Sequence, residues 1–62
     1  EKGIEKGLRE GIRLGLKLRF GEAGLALVPA IEEIHDSGRL RSLLEAIERV
    51  GTAEEMRSLI GR

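Results

Sequence analysis

The chain has no cysteine, tryptophan or tyrosine, and only one phenylalanine and one proline. Without cysteine there is neither a disulfide nor a thiolate metal site, so nothing covalent staples the fold. With Phe20 as the only aromatic residue, the large rings that anchor small cores and binding hot spots are missing. No apolar run approaches the roughly 18 residues that a membrane-spanning helix needs, and no signal-peptide pattern opens the chain. Membrane insertion is therefore not expected, and a cytoplasmic location is the default. The chain opens on Glu1 rather than methionine, which points to a piece of a longer protein. At 62 residues it is one small domain, near the size where a single core barely suffices.

Glycine and charge are what the sequence has in quantity. Four of its nine glycines recur at Gly3, Gly7, Gly11 and Gly15. Each is followed by a large aliphatic residue, Ile4, Leu8, Ile12 and Leu16, and Phe20 continues that second row. A period of four, with no proline, predicts one long helix over residues 1–20. Each glycine inside a helix costs roughly 0.5–1 kcal/mol relative to alanine, so packing must offset them. At 3.6 residues per turn a four-residue repeat drifts by about 40° per step, making each row an oblique i±4 line. The aliphatic row forms a ridge and the glycine row a groove beside it. Two such helices dock at about −50°, with backbones drawn close by the small residues.

A second copy supplies both ridge and groove, so the surface is self-complementary under a two-fold axis. The expected self-association interface is Gly3, Ile4, Gly7, Leu8, Gly11, Ile12, Gly15, Leu16 and Phe20, with a dimer as first choice. A period above 3.6 argues against a left-handed heptad coil. Glu5 and Arg9 form an i,i+4 pair, and Glu1 sits where the helix dipole favours an anion.

The remainder, residues 22–62, predicts three shorter helices. Gly21 is the stop of the first helix, in the left-handed cap position. Leu25, Val28, Ile31 and Ile34 recur every three residues, and the favoured reading is one helix bent at Pro29. The alternative places Pro29 in the first turn of a shorter helix after an irregular Gly24–Val28 segment. Asp36, Ser37 and Gly38 break the chain, with Asp36 or Ser37 capping the next helix. Leu40, Leu43, Leu44, Ile47 and Val50 mark that helix's core face and leave Glu45, Glu48 and Arg49 to solvent. Thr52 and Glu55 have capping-box spacing, and Met56, Leu59 and Ile60 edge the last helix before Gly61. The fold class is all-α: a small antiparallel domain of about four helices, self-associating through the first.

No catalytic residue, cofactor or metal ligand set emerges. His35 has no second histidine or cysteine to share a metal, and a histidine there suits a helix C-terminus. Glu32, Glu33 and Asp36 lie on a helix surface, which does not supply the burial that acid–base carboxylates need. The glycines lack both phosphate-loop and dinucleotide spacing. Net charge is +3 over residues 1–21 and −3 over residues 22–62, which fits a basic helix lying against an acidic remainder. Arg9, Arg13 and Lys17, extended by Arg19, are the candidate nucleic-acid contact, weighed against a solvated face that pairs with the acidic half. GIRLGLKLRFG alone also has the look of a cationic surface-seeking peptide, but the ridge and groove account better for the same residues.

The opening EKGIEKGLREG resembles the tail of the PD-(D/E)XK nuclease family, in its transposase-like, recombination-promoting branch. LRFGEAGLALVPAIEEI and LRSLLEAIERVGTAEEMRSLI resemble the small C-terminal domain attached to such proteins, so the likeness spans essentially the whole chain. It implies a non-catalytic helical appendage to an upstream nuclease domain. The catalytic machinery has no counterpart here, because Asp36 is the only aspartate and no Glu-x-Lys occurs. The function expected is homo-oligomerisation of the parent protein, with nucleic acid reached only through that parent. The alternative that the resemblance implies is a regulatory or inhibitory module acting on the parent nuclease.

Overall fold

The computed structural model describes residues 2–61, and side chains from residue 3 onward; Glu1 and its expected dipole contact lie outside the described residues. The chain is a small all-α domain. Helix α1 spans Lys2–Phe20, α2 Glu22–Leu25, α3 Val28–Glu32, α4 Ser37–Ile47 and α5 Ala53–Ile60. The two short segments α2 and α3 together take the place of the expected second helix. α1 is the spine: α4, α2 and α3 all pack on it, and α5 packs on α4.

The local signals account for most of the boundaries. Asp36 caps α4, its Oδ1 accepting from the Gly38 amide at 3.0 Å. Thr52 caps α5, its hydroxyl accepting from the Glu55 amide at 3.1 Å. The Glu55 carboxylate reaches back to the Gly51 amide at 2.7 Å, one residue earlier than a standard capping box. The bonds to Gly38 and Glu55 satisfy amides that a helix start leaves without a partner, and the bond from Gly51 ties the preceding turn to α5.

Two local expectations are corrected. The favoured bend at Pro29 is instead a break at Ala26–Leu27, with Pro29 in the first turn of α3, as the alternative reading places it. Proline has no amide to give the Leu25 carbonyl, and its ring crowds that carbonyl, so the helix ends one turn earlier. The Leu27 amide bonds to Gly24 and the Ile31 amide to Leu27 across the break. This resets the facing of the segment, so Leu27 enters the core while Leu25 stays partly exposed. Gly21 has the expected positive φ of 62°, but its ψ of −134° lies outside the left-handed helical region. Only glycine tolerates that conformation readily.

The core is made by Ile12 and Leu16 of α1, Leu27, Ile31 of α3, Leu40, Leu43, Ala46 and Ile47 of α4, and Met56 and Ile60 of α5. Leu8, Phe20, Val28, Ile34, Leu44, Val50 and Leu59 pack half-buried around it. The radius of gyration is 10.3 Å, close to the ~10.6 Å expected of a compact single chain of this length. The fold thus closes its core within one molecule.

Three arginines finish three helices. Arg9 donates to the Ile34 carbonyl just beyond α3, through Nε at 3.1 Å and Nη2 at 2.9 Å. Arg19 donates to the Ile47 carbonyl and, at 3.0 Å, to that of Val50 at the end of α4. Arg39 donates to Leu59 at 3.3 Å and to Ile60 at 2.8 Å at the end of α5. A guanidinium there supplies donors to orphan carbonyls and a positive charge to the negative end of the dipole. Arg39→Ala is expected to destabilise the domain by about 1 kcal/mol. Hydrogen exchange should accelerate selectively in the last turn of α5; uniform protection there would show that the cap contributes nothing.

Candidate association surface

The glycine–aliphatic repeat does not present one face. Its 40° drift carries both rows around α1, and the structure shows where each step lands. Gly3 and Gly7 are exposed, with nothing within 4 Å of the position a Cβ would take. One step on, a Cβ at Gly11 would lie 3.7 Å from Leu44 of the same chain. Gly15 sits closer still, 3.2 Å from Ile47. The aliphatic row follows the same course: Ile4 is exposed, Leu8 half-buried, Ile12 and Leu16 fully buried, and Phe20 half-buried. The ridge and the C-terminal half of the groove therefore meet α4 within the chain. Gly3, Ile4 and Gly7 are the residues of the expected interface that remain open.

The side of α1 turned away from the core carries two residues that sequence reasoning missed. Leu14 and Leu18 are 58% and 74% exposed, and they join the expected Ile4, which is 51% exposed. Leu25, 39% exposed, lines a shallow hollow with Glu10, Arg13, Leu14 and Lys17. Leu14 and Leu18 follow Gly7 and Gly11 at alternating spacings of three and four, which was visible in the sequence but hidden behind the stronger tetrad. Exposed large aliphatics that line up along a helix mark a contact surface more often than scattered single ones do.

The basic row is split in the same way. Arg9 is held by the Ile34 carbonyl, by Glu5 at 3.1 Å and by an approach of 3.1 Å to His35 Nδ1. Arg19 is held by the end of α4 and lies 5.2 Å from the Phe20 ring centroid. Arg13 and Lys17 are exposed and make no side-chain hydrogen bond among the described residues. Of the four cations expected to touch nucleic acid, two are therefore committed to the fold. Glu32, Glu33 and Asp36 are exposed, and no metal-holding group of acidic or histidine side chains occurs among the described residues.

A second hollow, lined mainly by Lys6, Arg9, Glu10, Arg13 and Glu32 over Val28 and Ile31, interleaves acids with bases. It brings together no nucleophile and base of the kind that acyl or phosphoryl chemistry needs. Among the described residues no helix is long and apolar enough to cross a membrane. What the arrangement can do is present a narrow apolar strip, flanked by charge, to another helix. Comparison with known proteins gives no match, whether to a family model, to a curated protein or to a solved structure.

Proposed function

We propose that the domain is a non-catalytic homo-oligomerisation module that acts through the outward face of α1. The observation that carries this reading is the line of exposed Ile4, Leu14 and Leu18 beside the open backbone at Gly7. A helix surface normally gives such positions to polar residues, as α4 does with Arg41, Ser42 and Glu45. Keeping glycine at Gly7, where nothing in its own chain approaches, also sacrifices helix stability to no intramolecular purpose. The resemblance to nuclease C-terminal domains supplies the setting: association here would bring parent nuclease domains together.

Sedimentation equilibrium tests the reading. The chain should associate at tens of micromolar, and the double variant Leu14→Glu, Leu18→Glu should sediment as a monomer with unchanged helical circular dichroism. A wild-type chain that stays monomeric, or a double variant that associates equally well, would refute it. Adding the isolated domain to the full-length parent protein separates this function from the inhibitory one. Loss of nuclease activity at stoichiometric domain, with the parent's oligomeric state unchanged, would favour the inhibitory module.

A further inference from the structure

The exposed strip has an internal symmetry that the tetrad conceals. Ile4, Gly7, Gly11, Leu14, Leu18 and Gly21 follow one another at spacings of three, four, three, four and three residues. This averages close to 3.5 and keeps the five that lie within α1 along one side of the helix, with Gly21 just past its end, as in a coiled-coil seam. Three of them are large and three are glycine. Reversing the order exchanges the two kinds, because the residue numbers pair to a constant sum of 25: Ile4 with Gly21, Gly7 with Leu18, Gly11 with Leu14. A helix laid antiparallel on its own copy, with the two-fold axis between residues 12 and 13, therefore sets every large side chain over a glycine.

The structure leaves Gly7 fully open to a side chain, with nothing within 4 Å of a Cβ there or at Gly21. A Cβ at Gly11 would lie 3.7 Å from Leu44, so a side chain seated over Gly11 also packs on Leu44. A parallel pair in register would instead place large side chain on large side chain and glycine on glycine, leaving holes at the Gly7, Gly11 and Gly21 layers. The flanking charge points the same way. Glu10 and Lys17 border the strip on one side, both exposed and both free of side-chain hydrogen bonds among the described residues. In an antiparallel seam, side positions of this kind face their counterparts on the other helix. Glu10 then meets the partner's Lys17, and Lys17 the partner's Glu10.

Resting on the association reading above, we infer that the partner of this face is a second copy of the chain, docked antiparallel through α1. Gly7 receives the partner's Leu18, Gly11 receives the partner's Leu14, and two symmetric Glu10–Lys17 ion pairs fix the register. The assembly is a closed two-fold dimer, because both copies use the same patch.

The absence of cysteine makes a direct test clean. Gly7→Cys and Leu18→Cys both fall at exposed positions, so the fold should survive, as circular dichroism can verify. Mixed under oxidation, the two variants should form the Gly7→Cys/Leu18→Cys heterodimeric disulfide in excess, with each alone cross-linking poorly. A charge exchange gives the second arm. Glu10→Lys and Lys17→Glu should each weaken association by roughly three- to tenfold, since each turns two exposed attractions into repulsions. The double variant Glu10→Lys, Lys17→Glu, whose net charge equals that of the wild type, should recover it.

A dimer in which Gly7→Cys cross-links to itself, or in which the double variant is not rescued, would overturn the antiparallel register and leave association standing. A chain that is monomeric at every concentration would overturn both.

Discussion

Gly24→Ala is expected to remove most of the protein's stability, although it adds one methyl group to a short helix. Gly24 is buried where α2 crosses α1, and a Cβ there would sit 2.2 Å from the Leu16 carbonyl oxygen and 2.7 Å from its carbon. Those atoms are backbone in the middle of α1 and cannot swing aside as a side-chain end could. Relief requires α2 to lift from the spine, which also withdraws Leu27 from the core. Overpacking of this kind costs typically 1–3 kcal/mol and sometimes more, so about 3 kcal/mol is expected.

A single core of this size supplies roughly 3–5 kcal/mol in all, and the variant consumes most of it. At about 4–8 °C per kcal/mol, the melting temperature should fall by roughly 12–24 °C. Gly7→Ala is the matched control: with open space around it, alanine should stabilise α1 by roughly 0.5–1 kcal/mol. Equal thermal melts for the two variants would mean that the close approach at Gly24 is not formed.

Leu16→Ala is expected to destabilise the fold by about 2–5 kcal/mol, the range for truncating a fully buried leucine. Leu16 lies in the core between the α2 crossing and α4, with no exposure of its own. Its loss should lower the denaturant midpoint equally at all protein concentrations, because the contacts removed lie within one chain. Leu18→Ala, two residues on and mostly exposed, should leave the fold within about 0.5 kcal/mol of wild type and weaken association instead. The pair separates the two faces of α1. If Leu16→Ala kept its melting behaviour and lost only association, the aliphatic ridge would face another molecule after all.

The contrast between Leu16 and Leu18 shows how far the residues speak for themselves. The helical segments, the caps at Asp36 and Thr52, and the core stripe of α4 were legible because each rests on neighbours within about four positions. The Glu5–Arg9 pair was legible for the same reason. Pro29 was legible as a disturbance. Its consequence, a break at Ala26–Leu27, depended on which neighbouring residue the core would accept, and Leu27 was taken in place of Leu25. The value of Gly24 had no local signal at all, since its reason is a carbonyl eight residues away in sequence.

By itself, then, the amino-acid sequence determined an all-helical chain with a long glycine-bearing first helix, because periodicity and capping act over single turns. Only the tertiary structure decided which way that helix faces. The repeat of four drifts against the 3.6-residue turn, so no single row can stay in one contact. Its middle was drawn into the core against Leu44 and Ile47, where apolar burial was available within the chain. What stayed outside was the line from Ile4 and Gly7 to Leu14 and Leu18, spaced by three and four, and that line carries the proposed partner.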